Sequence, residues 1–301
     1  MTSMQGATAA MTTKRSRPAL GWLDWLLLVM VASAASYTVS RVNTVLHYKW
    51  DWGVVASYLL KTDPETGHWV PNVLLEGLFT TIRLSVWGIL LAALVGLVMG
   101  MARCSDRLFP RLVSGAYVLL VRNVPPLVFV FIVVFFVGSQ VLPMLGLSSA
   151  MDRASPTVQY WVSIFFAPAQ QIENFVAGLV CLAFFTGAYV TEIVRAGIQS
   201  VPTSQIEAGR SLGLSRLQIM RLIVLPQALR NVLPPLAGQF IQMIKDSSLV
   251  SLVSVQELTF VAQEIQVSTQ KVFEVLLFAG GLYFIICYSL SLLFAFLEHR
   301  S

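Results

Sequence analysis

Five stretches of this chain run without Asp, Glu, Lys or Arg across residues 25–40, 84–101, 123–151, 174–191 and 275–297. A helix of about 20 apolar residues spans the hydrocarbon of a bilayer, where no water is available to satisfy an exposed backbone group. Tracts of this kind have few other solutions, so they set the fold class: an all-α membrane protein. The composition agrees, with 56% of residues hydrophobic and 12% charged, against about 25% charged in a typical soluble domain. The formal charge of +5 is too diffuse to suggest a nucleic-acid partner, and in a membrane protein the position of the cations matters more than their number.

Residues 231–255 are long enough for a sixth span, but they carry Pro234, Pro235, Lys245 and Asp246, which predicts a broken and polar one. Residues 154–172 are uncharged as well. Pro156 and Pro168 bracket only a short apolar core there, with Tyr160 and Trp161 in it, so an interfacial helix is expected. With six spans and both termini cytoplasmic, the inner segments hold Lys14, Arg15, Arg17, Arg103, Arg107, Arg111, Arg195, Arg210, Arg216, Arg221, Arg230 and Arg300. The outer segments hold only Arg41, Lys49, Lys61, Arg153 and Lys271, while Arg83, Arg122 and Lys245 lie in or beside the membrane. Making residues 154–172 cross would put the basic segment 195–230 outside, against the positive-inside rule. The first tract also has the form of a secretory signal, with Lys14, Arg15 and Arg17 before an apolar run and Ala32-Ser33-Ala34 within it, although Asp24 interrupts the run. Cleavage would leave the orientation of everything after Ser40 unchanged.

The segment 192–230 reads EIVRAGIQSVPTSQIEAGRSLGLSRLQIMRLIVLPQALR. Pro202-Thr203-Ser204 predicts a helix start, with Thr203 or Ser204 as cap and Glu207 in the first turn. Gly213 ends that helix, Ser215 can cap a second one, and Leu217, Met220, Arg221, Ile223 and Val224 continue it as far as Pro226. Ile206, Leu212, Leu214 and Leu217 give the element an apolar side. A structured loop of this length between spans is usually functional; the plainer alternative is an amphipathic hairpin anchored at anionic headgroups.

Glu207-Ala208-Gly209, three residues, Gly213, nine residues, Ile223, one residue, Leu225-Pro226 resembles the EAA signature of ABC importer permeases with its spacing fully kept. Gly209 stands where a second alanine is usual, a change that softens a helix by up to about 1 kcal/mol. Glu76-Gly77-Leu78 through Thr81-Ile82-Arg83-Leu84 is similar to the opening of the permease core in the branch that carries polar amino acids. Arg122-Asn123-Val124-Pro125 resembles that branch's Arg-Gly-Thr-Pro element, departing at Asn123 and Val124. Gly187-Ala188-Tyr189, Glu192, Arg195-Ala196-Gly197-Ile198, the run from Leu225 to Arg230, and Lys245-Asp246-Ser247-Ser248-Leu249 complete the likeness. Ser247 replaces a usual Thr and Gly238 a usual Asn.

The resemblance implies a five-span permease core at 72–300, with its coupling loop at about 195–230. Residues 1–71 then form an N-terminal tail, an added transmembrane helix and a periplasmic loop. It implies a multi-pass protein of the bacterial inner membrane that moves a polar or charged amino acid by alternating access. The implied partners are a dimer of ABC ATPase subunits, a second permease chain (identical or similar), a periplasmic substrate-binding protein and membrane lipid. Glu207, Ala208, Gly209, Gly213, Ile223, Leu225 and Pro226 would couple to the ATPase. The chain has no GxxxxGK[ST] and no Gly-Lys pair at all, so it has no P-loop to cradle phosphates. It is therefore expected to be no enzyme and to bind no cofactor itself, with ATP and Mg used by the partner ATPase.

Ionisable side chains within spans cost several kcal/mol (~3) unless they face a cavity or a partner. Arg122, Asn123, Pro125, Gln239, Lys245, Asp246 and Ser247 are thus candidates for the translocation path or its gate. Arg122 can equally be a helix-end anchor at the interface, and Lys245 with Asp246 a self-neutralising ion pair. Glu192 and Arg195 are expected to fix the coupling loop to the bundle rather than to touch substrate. Asn231, Gln239 and Gln242 can bond neighbouring helices or substrate. Trp50, Trp52 and Trp69 are expected as interface anchors. His47, His68 and His299 are isolated, and Cys104, Cys181 and Cys287 have neither disulfide nor zinc spacing, so no metal or catalytic site is expected. A stand-alone ion-coupled secondary transporter is the alternative; it calls for inverted repeats, and only a shared Gly-Ala-Tyr-Val at Gly115 and Gly187 hints at any.

Overall fold

The computed structural model describes residues 21–45, 48–64 and 67–298; Lys14, Arg15, Arg17, His47, His299 and Arg300 lie outside them. The chain divides into two units, 1–50 and 51–301. The first contains α1 (Trp22–Val45), a single helix that runs through Asp24 and Ala32-Ser33-Ala34 and buries none of its residues. Its mean hydropathy suits a span, and an apolar helix exposed all round is one whose solvent is lipid.

The second unit opens with α2 (Gly53–Leu59) and a short antiparallel hairpin, β1 (Leu60–Thr62) with β2 (Trp69–Pro71), Lys61 opposite Val70. The Asp51 amide donates to the fully buried Glu274 (2.7 Å), tying this segment to the last helix. Among the described residues, five helical stretches are long and apolar enough to cross a membrane: α1, α3 (Val73–Arg103), the third tract, the stretch that ends with α9 (Ile172–Gln199), and α14 (Val272–Glu298). The α9 stretch is the central one, with 67% of its apolar window buried against 33% for α3.

Helices α3 and α9 pack almost backbone to backbone. A Cβ placed on Gly96 would lie 2.4 Å from Val190 Cγ1, and one on Gly100 2.6 Å from Val194 Cγ1. The Gly-x-x-x-Gly spacing puts both glycines on one face, the small-residue device by which helices associate in lipid, where apolar burial gives no driving force between them. Cys181 sits fully buried in the same core, as a packing residue.

The third apolar tract is not one helix. Residues 108–123 form α4 (Leu108–Asn123), the chain is extended at Val124-Pro125, and α5 (Pro126–Ile132) leads into a π-helical turn, Val133–Gly138. Short helices α6 (Ser139–Val141) and α7 (Leu147–Asp152) follow. Two consecutive prolines cause the break, since residue 125 has no amide to donate and residue 124 is held away from the α region. Residues 154–172 contain α8 (Pro156–Phe165), a ten-residue helix too short to cross. It is pinned to α3 by the Trp87 indole, which donates to the Phe165 carbonyl (2.8 Å) and stacks on Phe166.

At the other end of the bundle, α13 (Leu258–Thr269) starts at Glu257, a fully buried carboxylate. It accepts from the Phe260 amide (2.9 Å), the Tyr283 hydroxyl (2.5 Å) and Thr81 Oγ1 (3.3 Å), so one side chain joins α3, α13 and α14. Burial pushes this carboxyl above its ordinary range, and the donated hydrogen bonds oppose the shift.

Candidate functional site

Residues 203–246 fold as a short helix, a tight turn and a second helix that runs on into a long one. The first helix, α10 (Thr203–Ser211), starts from Pro202, which has no side-chain acceptor; neither Thr203 nor Ser204 caps it, and Glu207 lies beyond its first turn. Its end is built as expected. The Gly213 amide donates to the Arg210 carbonyl (2.9 Å) and the Leu214 amide to the Gly209 carbonyl (3.1 Å), the paired bonds of a Schellman motif. That motif needs the left-handed backbone Gly213 adopts, φ +74°. Ser215 then caps α11 (Arg216–Ile219) through a full capping box with Gln218.

The second helix does not stop at Pro226. A π-helical turn, Met220–Val224, carries it directly into α12 (Leu225–Asp246), with the Leu225 amide donating five residues back to Met220. In a regular α-helix the Pro226 ring would collide with the Leu222 carbonyl; the wider turn accommodates it. Pro234 and Pro235 do not break α12 either. They leave the carbonyls of Arg230 and Asn231 without their usual i+4 donors.

The four apolar side chains of the loop divide between two jobs. Ile206 and Leu214 pack with Ile223 onto the buried Val201, Ile219 and Val224. Leu212 and Leu217 point outward, 80% and 77% exposed, beside the exposed Glu207, Ala208 and Arg210. Gly209 is buried, and a Cβ there would lie 2.7 Å from Ile223 Cδ1. The fourteen-residue separation of Gly209 and Ile223 is therefore a packing contact between the two helices. Gln227 ties them further, donating to Gln205 Oε1 (2.6 Å). Arg216 reaches Asp106 in the α3–α4 turn (2.8 Å), a pair so exposed that it contributes little.

A second feature lies at the root of this unit. A cavity of about 530 Å³ is lined by Arg122, Tyr189, Glu192, Arg195, Ser200, Asn231, Pro235 and Gln239 among others. Arg122, in the last turn of α4, stands over the Tyr189 ring at 5.1 Å. Glu192 is held on both sides, by Arg103 from α3 (2.8 Å) and by Arg195 one turn on (2.8 Å), and Arg195 also donates to Gln199. Asn231 donates to Ser200 Oγ (2.7 Å), closing the gap between α12 and α9. Gly197 lets α12 come that near, since a Cβ there would meet Val232 at 2.3 Å. At the foot of α3, burial raises the Cys104 thiol, against the Arg195 and Arg103 charges.

Of the residues predicted for a path, Arg122 and Gln239 share this cavity. Asn123 bonds back to the Leu119 carbonyl (2.7 Å), and Pro125 opens α5. Lys245, Asp246 and Ser247 sit together at the far end of α12. Of the two readings of Lys245 and Asp246, the local ion pair does not form as a direct contact: neighbours on a helix diverge, and Asp246 accepts from Gln242 (2.8 Å). Ser247 is fully buried and donates to Ile244 (2.7 Å). Sequence reading missed Arg103 as the partner of Glu192, and Tyr189 as the platform for Arg122; both contacts join residues distant in the chain. Among the described residues no cluster of potential metal ligands occurs.

Residues 88–301 match the family of binding-protein-dependent transport system inner membrane components. Similar relatives include the probable glutamine ABC transporter permease protein GlnM of Bacillus subtilis, 32% identical over 76% of this chain and 93% of its own. The glutamate/aspartate import permease protein GltK of Escherichia coli is 30% identical over 84% of this chain and 99% of its own. In three dimensions the chain is similar to a crystal structure of an amino acid ABC transporter with histidines, at a TM-score of 0.65 and 29% identity, covering 84% of this chain and all of the other.

Proposed function

The chain belongs to the family of binding-protein-dependent transport system inner membrane components, as the multi-pass permease subunit of an ABC importer, and from that membership we propose how it couples and what it carries. Membership brings an ATPase and a substrate-binding protein as partners, and it removes the stand-alone secondary transporter. The substrate class we assign is a polar or charged amino acid, as in the names of the relatives. Within the inner membrane the chain makes six crossings, α12 being the sixth, with both termini cytoplasmic and residues 1–71 added to a core at 72–300. One permease chain encloses little of a pathway, so it works with a second, identical or similar, in contact with membrane lipid. ATP and Mg stay with the ATPase.

The observation that carries the coupling proposal is the unbroken helix from Arg216 through the π turn to Asp246. Its start presents Leu217, and α10 with its closing turn, packed beside it, presents Glu207 and Leu212 to a partner, while its middle lines the cavity at Asn231, Pro235 and Gln239. A displacement imposed on α11 by an ATPase, or on α10 through its Gly209–Ile223 contact, therefore reaches the cavity along one continuous helix, which is how rigid-body switching is transmitted. Gly209, Ile223, Leu225 and Pro226 keep the two coupling helices in one piece, while Glu207, Ala208 and the Gly213 turn shape the docking face. Arg122, Asn123, Pro125, Gln239, Lys245, Asp246 and Ser247 belong to the path and its gates, with Arg122 and Gln239 at the inner chamber.

Glu207→Lys reverses an exposed charge, and Gly213→Asp strains a left-handed turn by about 1–2 kcal/mol. Both variants are expected to insert in the membrane and to lose ATPase copurification and stimulated hydrolysis. Wild-type uptake with wild-type copurification in both would remove the coupling proposal.

A further inference from the structure

A second polar cleft, of about 290 Å³, opens near the N-terminal end of α3, between α3, the 163–171 segment and α13, and shares no lining residue with the cavity at Arg122. Its charged walls are Glu76 and Arg83 from α3 and Glu264 from α13, with Ser163, Gln171 and Gln256 between them. Gly77 lets the two helices close on it, since a Cβ there would meet Val261 Cγ2 at 3.1 Å and Leu258 Cα at 3.2 Å. The Gln171 amide is held on Gln256, which fixes one side.

Arg83 is the group in this cleft whose needs are least met. A guanidinium has five donors, and among the described residues Arg83 makes one hydrogen bond, a long one of 3.5 Å to the Phe166 carbonyl. No ion pair to Glu76 or Glu264 forms, although both carboxylates line the same cleft. A half-buried cation at the membrane boundary calls for an anion, and a carboxylate on its own helix with another across the cleft on α13 calls for a cation. A metal ion meets only half of that demand, because the third charge is a guanidinium. We propose that this cleft binds a zwitterion, its anionic group on Arg83 and its ammonium between Glu76 and Glu264. An α-amino acid and the headgroup of phosphatidylethanolamine both carry that chemistry.

The test uses the permease–ATPase complex in nanodiscs of phosphatidylglycerol alone, titrated with L-glutamine, and in nanodiscs containing phosphatidylethanolamine, read by native mass spectrometry for retained lipid. Saturable glutamine binding in the first arm identifies a free amino acid, and selective retention of phosphatidylethanolamine in the second identifies the lipid. In either case Arg83→Gln and Glu264→Gln are expected to weaken binding about ten- to hundredfold, the loss of a charge-assisted hydrogen bond. Arg111→Gln, which removes an exposed cation outside the cleft, is expected to leave it unchanged, and neither butylamine nor acetate alone to compete. Glu264 is exposed, so its variant keeps the test meaningful if Arg83→Gln impairs folding. No saturable binding in either arm, binding indifferent to both substitutions, or binding lost in Arg111→Gln but not in Glu264→Gln would overturn the proposal.

Discussion

The same substitution, glycine to alanine, should have opposite effects at two positions of this bundle. At Gly238, on α12, a new Cβ meets nothing within 4 Å, so the helix gains only propensity, up to about 1 kcal/mol. At Gly96 the new Cβ would lie 2.4 Å from Val190 Cγ1, 2.5 Å from Val190 Cβ and 3.0 Å from its carbonyl carbon. Ordinary contact between carbons starts at about 3.5 Å, so α3 and α9 must part by about 1 Å. Overpacking of a filled core costs about 1–3 kcal/mol, which outweighs the propensity gain, and the helices involved form the central packing of the bundle. Thermal unfolding of the purified complex should rank Gly238→Ala at or above wild type and Gly96→Ala several degrees below it. Because such unfolding is often irreversible, the ranking at one heating rate is the measure. Adding Val190→Ala to Gly96→Ala should recover part of the loss, since it removes Val190 Cγ1 and leaves Cβ as the remaining side-chain contact. A Gly96→Ala protein as stable as Gly238→Ala would refute the close approach of α3 and α9.

Glu192→Gln leaves Arg103 and Arg195, each about a third exposed, without their shared counter-charge; a loss of about 1–3 kcal/mol is expected, with more ATP hydrolysed per substrate moved, and an unchanged ratio would count against the clamp. Glu257 is buried with a raised pKa, so the folded state holds its proton more tightly than the unfolded chain. Its contribution is full below the ordinary glutamate range and is lost as pH rises through the raised value; melting temperatures of wild type and Glu257→Gln should converge at low pH and diverge above it. Leu212→Ser with Leu217→Ser removes two largely exposed apolar side chains, so stability should hold while ATPase affinity falls tenfold or more, at about 1.4 kcal/mol per tenfold.

Local features of the fold were legible in the sequence. The apolar tracts, the turn at Gly213 and the cap at Ser215 are each determined by a few adjacent residues, and the spans, the Schellman motif and the capping box follow them. Proline was the misleading signal. Pro226, Pro234 and Pro235 read as breaks, yet α12 runs through all three because a π turn precedes the first and packing on α9 holds the rest. At Pro125 and Pro126 the same residue type does break the chain. The difference lies in tertiary support, which no local pattern carries. The burial of Glu257, the Arg103–Glu192 pair and the glycine contacts of α3 join residues far apart in sequence, so they too become visible only once the helices are placed.

The central claim is that α10 and α11 are where this permease meets its motor. Single cysteines at Leu212 and Leu217, cross-linked to the ATPase in the assembled transporter with and without ATP, test it most directly. Docking through this element predicts cross-links at both positions whose yield changes with nucleotide, and none from a cysteine at Leu297 on α14. Cross-links from Leu297, with none from Leu212 or Leu217, would contradict it.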